Sequence, residues 1–123
     1  MPIRWKIERE NKLVSIKTEG EVTLRDVEAY LDDLVVNDAM KFAKLFDASD
    51  LVPVADDNQL MELGARMRAY AQTMGSGPLA FVVRTTAARQ IIDRYINLAQ
   101  ANRPVGVFFT RDEAVEWLEK LPK

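Results

Sequence analysis

At 123 residues, 48% hydrophobic and 29% charged, the chain has the length and composition of one globular domain, residues 1–123, with a real core. Its net charge of −2 gives no basic excess for nucleic acid, and the absence of Cys and His excludes disulfides, thiol nucleophiles, Ser-His-Asp or Cys-His pairs and imidazole metal ligands. No apolar run reaches the roughly 18–20 residues of a membrane span, so no membrane crossing and a cytoplasmic location are expected.

The opening "MPIRWKIERE" alternates Ile3, Trp5 and Ile7 with Arg4, Lys6 and Glu8. That period of two marks a half-buried strand, not a secretory leader. "KLVSIKTEG" repeats the pattern through Leu13 or Val14 and Ile16, with a tight connection at Asn11, so the two strands form a hairpin that Gly20 ends. "TLRDVEAYLDDLVV" changes to helical period, with Leu24, Val27, Leu31, Leu34 and Val35 on one face. Thr23 caps it, with Asp26 as its capping-box partner. "FAKLFD" is a short strand feeding Asp47.

"NQLMELGARMRAYAQTM" is a second helix, capped by Asp56 or Asp57 and stopped at "GSGP", where Gly75 takes the left-handed conformation. "LAFVVR" is the continuous apolar run of a strand covered on both faces. "TTAARQIIDRYINLAQ" is a third helix, with Ala88, Ile91, Ile92, Tyr95 and Ala99 inward. "VGVFF" is the last strand. "TRDEAVEWLEKL" closes the order as a helix with a Thr110–Glu113 capping box. The order β-β-α-β-α-β-α-β-α predicts an α/β fold: about five strands, mostly parallel, with an N-terminal antiparallel hairpin and four helices.

Charge divides unevenly along this order. Residues 1–57 carry 8 Lys+Arg against 13 Asp+Glu, and residues 58–123 carry 9 against 6, balances of −5 and +3. The later cations are mostly arginines without interleaved aromatics, which reads as solvated mixed-charge surface rather than a nucleic-acid interface.

Four places invite a functional reading. Asp47 and Ser49 could be a phosphoacceptor or a modified hydroxyl. A receiver-type Mg²⁺ cage is excluded, because the first strand runs straight into a hairpin and Thr110, not Lys, follows the last strand. Asx-type hydrogen bonding accounts for the pair. Asp50, Asp56 and Asp57 lack the spacing of a Ca²⁺ loop, and capping explains the last two, so no metal is assigned. "RTTAARQ" places Arg84, Thr85, Thr86 and Arg89 where a parallel strand meets a helix N-terminus, the best candidate for holding a phosphate or carboxylate. On the second helix, Met61, Ala65, Arg68 and Tyr70 lie off the inward stripe of Leu60, Leu63, Met67 and Met74. They are read as a partner or homodimer surface, rimmed by Arg66 and Arg68.

The hairpin, "EGEVTLRDVEAYLDDL", "LFDASDL" and the closing "PVGVFFTRDEAVEWL" together resemble the SpoIIAA-like fold of STAS domains (sulfate transporter and anti-sigma-factor antagonist). More closely, they resemble a family of small stand-alone bacterial STAS-like proteins, whose fold is also compared with the lipid-transfer CRAL-TRIO domain. The resemblance implies a binding module without catalytic residues or cofactors. In anti-sigma-factor antagonists it implies a phosphorylated Ser at the start of the helix after the third strand. Here Asp56 and Asp57 stand in that region and Ser49 lies upstream, so the phosphoswitch does not carry over. The expected function is a non-enzymatic, dimerising protein-interaction module. The alternative is a carrier or sensor of an anionic or lipid-like ligand, and an Mg²⁺-dependent carboxylate enzyme using Asp47 ranks behind both.

Overall fold

A computed structural model describes residues 2–52, 54–99 and 103–122. The alternating stretches pair as expected: β1 (Ile3–Glu8) and β2 (Leu13–Glu21) form an antiparallel hairpin with Trp5 opposite Ile16. Ile3, Val14, Ile16 and Thr18 are buried on one face, while Arg4 and Lys6 are exposed on the other. Then follow α1 (Leu24–Val36), β3 (Ala43–Val52), α2 (Asp57–Met74), β4 (Leu79–Val82), α3 (Thr86–Ala99), β5 (Val105–Phe108) and α4 (Arg111–Lys120). The strands lie side by side in chain order, and every pair after the hairpin is parallel.

A run of right-handed crossovers stepping in one direction puts successive helices on one side of a sheet. Here α1, α2 and α3 do share a face. Phe46 joins the cluster under α1 and α2 (Val14, Ile16, Leu31, Leu34, Met67) to the cluster under α3 (Ala48, Phe81, Val83, Ala88, Ile92). Across this face runs a row of rings, Trp5, Tyr30, Phe46, Phe81 and Tyr95, each 5.2–6.4 Å from the next. On the opposite face α4 alone covers Leu45, Ala80 and Val82 with Ala114, Trp117 and Leu118. The rest of that face, over β1 and β2, carries charged side chains and needs no cover.

The predicted capping boxes form at Thr23–Asp26 and Thr110–Glu113, and Asp56, not Asp57, caps α2 with Gln59 as its partner. Two expectations are corrected. The third strand does not stop at Asp47 but runs to Val52, because a bulge opposite Thr18 absorbs an extra residue and pairing resumes at Glu19–Asp50. Gly75 has positive φ (76°) but ψ of 173°, an extended conformation open only to glycine rather than the left-handed helical one.

Candidate functional site

The position of α2 creates the site. It packs chiefly on α3, and so closely that a Cβ at Gly64 would lie 2.9 Å from Leu98 Cβ. Arg66 ties its other flank to α1, through Glu28 (2.7 Å) and Asp32, and its Nε donates to Tyr70 Oη at 2.9 Å. Arg94 of α3 grips Asp57 at the start of α2 in a two-point contact of 2.9 and 3.1 Å. The helix is thus held by its sides, like a roof on two walls.

Beneath it lies a slot of about 120 Å³. Leu60, Leu63 and Met67 of α2 form its roof, and Phe46 and Phe81 its floor. Val27, Tyr30 and Leu31 of α1 make one wall, and Ile91, Ile92 and Tyr95 of α3 the other. It follows β3 from Lys44, near the strand's start, to Leu51, near its end, where Val54 and Ala55 complete the lining. The volume approaches that of an engineered cavity large enough for benzene.

One end of this apolar slot is cationic. Lys44 is only 2% exposed, and its Nζ donates to the carbonyls of Met40 (2.6 Å) and Phe42 (2.9 Å). Burial, with Arg103 adding like-charge repulsion, pushes its pKa from 10.5 down to about 7. Arg103 also lines the slot. Its Nη1 donates to Gly77 O at 3.4 Å, and its Nε is buried without a partner among the described residues. No carboxylate among the described residues pairs with either cation. Burial also raises the phenols of Tyr30 and Tyr95, so both stay neutral.

The residues singled out from sequence lie elsewhere. Thr85 accepts from Ala88 N at 3.1 Å, so its hydroxyl is spent as the cap of α3. Arg84 and Thr86 are exposed, Arg84 stands 3.9 Å from Asp50, and Arg89 leans on Asp93 and on the ring of Phe109. These four residues share a corner, and none of them lines the slot. On α2, Met61 and Ala65 face solvent, Arg68 reaches the Leu98 carbonyl, and Tyr70 packs on the core under α1. Tyr70 therefore sits apart from the outward face that Met61 and Ala65 share.

Ser49 sits within β3, not at a helix tip. Its N–H and hydroxyl both donate to Asp47 Oδ1. Burial raises the Asp47 carboxyl, but the Ser49 bonds and the Lys17 ammonium outweigh it and hold the group below the usual carboxylate range. Asp47 faces away from the slot, toward the groove beside α4. Among the described residues no cluster of acidic side chains could hold a metal ion. Nor is any helix there long and apolar enough to cross a membrane.

Sequence reasoning missed Lys44 and Arg103. The signal for Lys44 was present: a lone Lys in a strand between two others, at a position whose neighbours Phe46 and Ala48 turn toward the helices. Arg103 lies in the connection before β5, and nothing local marks it.

No protein-family model and no curated protein matches the chain. Solved structures do. An uncharacterised protein of the DUF3478 family with a SpoIIAA-like fold, from Shewanella loihica, matches with TM-score 0.62 at 19% identity, covering 94% of this chain and 93% of that one. An anti-sigma factor antagonist from Mycobacterium paratuberculosis matches with TM-score 0.59 at 17% identity, covering 96% and 95%. Identity this low speaks to architecture alone. With the sheet order, the hairpin and the four helices, it gives this chain a SpoIIAA-like fold.

Proposed function

We propose that the chain is a non-enzymatic cytoplasmic binding module that holds a small apolar ligand in the slot beneath α2. One observation carries the reading: a space of about 120 Å³, walled mostly by aliphatic and aromatic side chains, between three helices and the sheet. Pockets of this kind, apolar with a few polar groups at one place, are where small molecules bind. The non-catalytic part is supported by the chain's lack of His and Cys and by the commitment of Asp47 to Ser49 and Lys17 on the other face of the sheet. Methyl-detected NMR with benzene and with xenon tests the slot. Shifts confined to Leu60, Met67 and Ile92, and abolished by Leu63→Trp, are expected. Silence of those methyls in the unaltered protein refutes the reading.

A second reading, interaction with a second copy of the chain, is favoured by the apolar corner where β3 gives way to α2. Val52, Val54 and Met61 are 48%, 44% and 50% exposed there, with Ala65 continuing the patch along α2. Likeness to an anti-sigma factor antagonist supports a protein-facing role for such a fold. Sedimentation equilibrium tests it. A dimer that Met61→Glu dissociates is the expected result, and a monomer at every concentration removes the reading.

A further inference from the structure

We propose that the slot takes an apolar ligand ending in one carboxylate, seated between Lys44 and Arg103. The inference rests on the slot reading and adds the chemistry of its cationic end. A buried cation is normally paired, because its desolvation is costly. Here two cations stand together, and neither has a carboxylate partner among the described residues. Both have unused donor capacity. Among the described residues, Lys44 has two carbonyl acceptors for the three N–H groups of an ammonium, and Arg103 Nε has no hydrogen-bond partner.

An anion placed there would take up those donors and offset the burial, and with it the Arg103 repulsion, that depress the Lys44 pKa. A guanidinium beside an ammonium matches the planar, two-oxygen geometry of a carboxylate. A monoanion suits the site better than a phosphate dianion, since the slot is otherwise lined mostly by apolar side chains and each added charge raises the desolvation cost. The remaining charged or titratable groups lining the slot are the phenols of Tyr30 on α1 and Tyr95 on α3, both neutral, so Lys44 is the group whose proton responds.

Calorimetry at pH 6.5 tests this, with straight-chain carboxylates from butanoate to decanoate, each paired with its primary amide. An amide keeps the shape and removes the charge. At least one acid is expected to bind about tenfold or more tightly than its amide. Lys44→Met and Arg103→Met are each expected to erase that preference while leaving amide binding in place. Lysine ¹³Cε shifts should show the Lys44 pKa rising in the complex. Equal binding of acid and amide overturns the carboxylate seat and leaves the slot standing. So does an acid preference that survives both substitutions, since the head then sits elsewhere. If neither acid nor amide binds while benzene still enters, the seat is overturned alone. If benzene and xenon are also excluded, the slot reading falls with it.

Discussion

Lys44 should make this protein more stable as the pH rises through neutrality. In the folded chain its pKa is about 7, against 10.5 for the ordinary side chain that unfolding restores. Between those values the unfolded state binds the extra proton, so unfolding free energy increases with pH. Below about pH 7 both states are protonated and the full penalty applies. The gap between the two values corresponds to roughly 5 kcal/mol, at about 1.4 kcal/mol per pH unit. From pH 6 to pH 9 about 2–3 kcal/mol of that should be recovered, with a slope approaching one proton above pH 7.

The window is unusually clear, since the chain has neither His nor Cys. Asp47 titrates below it, and Lys17, Tyr30 and Tyr95 are shifted upward, away from it. Urea unfolding followed by Trp fluorescence at pH 6, 7, 8 and 9 measures the slope. Lys44→Met supplies the control, because it keeps the stem and removes the titration. The variant should be nearly flat and should gain most over the parent at pH 6. A flat or falling profile in the parent protein, or an equal slope in the variant, would refute the reasoning.

Gly64→Ala should destabilise by roughly 1–3 kcal/mol, although alanine favours a helix interior by about 1 kcal/mol, because the new methyl meets Leu98 at 2.9 Å; thermal denaturation reads the sign directly. Asp56→Ala should cost about 1 kcal/mol through loss of the α2 cap, and Asp57→Ala should leave the capping bond intact while losing the Arg94 contact; urea midpoints separate the two. In acid, Asp47 gives a slope of the same sign as Lys44, but because its charged form is the one the fold favours. Its depressed carboxyl stabilises the fold above its ordinary value of 3.8, and that contribution is lost as pH falls through the folded value, so Ser49→Ala should shrink the loss of stability measured below about pH 4. The double change Arg84→Ala with Arg89→Ala should leave carboxylate binding in the slot unchanged, since both lie outside its lining; a calorimetric loss there would contradict the placement of the site.

What local chemistry determines was legible in the residues. The hairpin follows from alternation at Ile3, Trp5 and Ile7, and the capping boxes of α1 and α4 from a Thr three residues before Asp or Glu. The end of β3 was not, because the Ala48–Ser49 bulge breaks the alternation that would have carried the strand on to Val52. Tyr30 was not read as core, since it sits beside the Leu31–Leu34 stripe and is buried only because Trp5 and Phe46 reach across to meet it. The slot was hidden for a different reason. It depends on how far α2 stands from the sheet, which a helix's own pattern does not encode. A glycine inside a helix, such as Gly64, marks close approach to a neighbour, but not that the neighbour is α3 or that the gap opens below.

Two costly features coincide in that gap, and their coincidence argues for function more strongly than either alone. A void beneath a helix forfeits packing, at roughly 20 cal/mol per Å² of cavity surface in measured cases. A buried lysine without a counter-charge costs several kcal/mol more near neutral pH. Both are easily removed: a Met at position 44 would fill space and shed the charge, and a larger side chain at Leu63 or Ile91 would narrow the slot. Stability alone gives no reason to keep a void and a buried cation with no carboxylate partner among the described residues at the same spot, with Arg94, Arg66 and the Gly64 contact holding the roof above them. A ligand that fills the one and neutralises the other removes both costs in a single event. Proteins keep such locally unfavourable arrangements where binding needs them, and in this chain the place is the lysine end of the α2 slot.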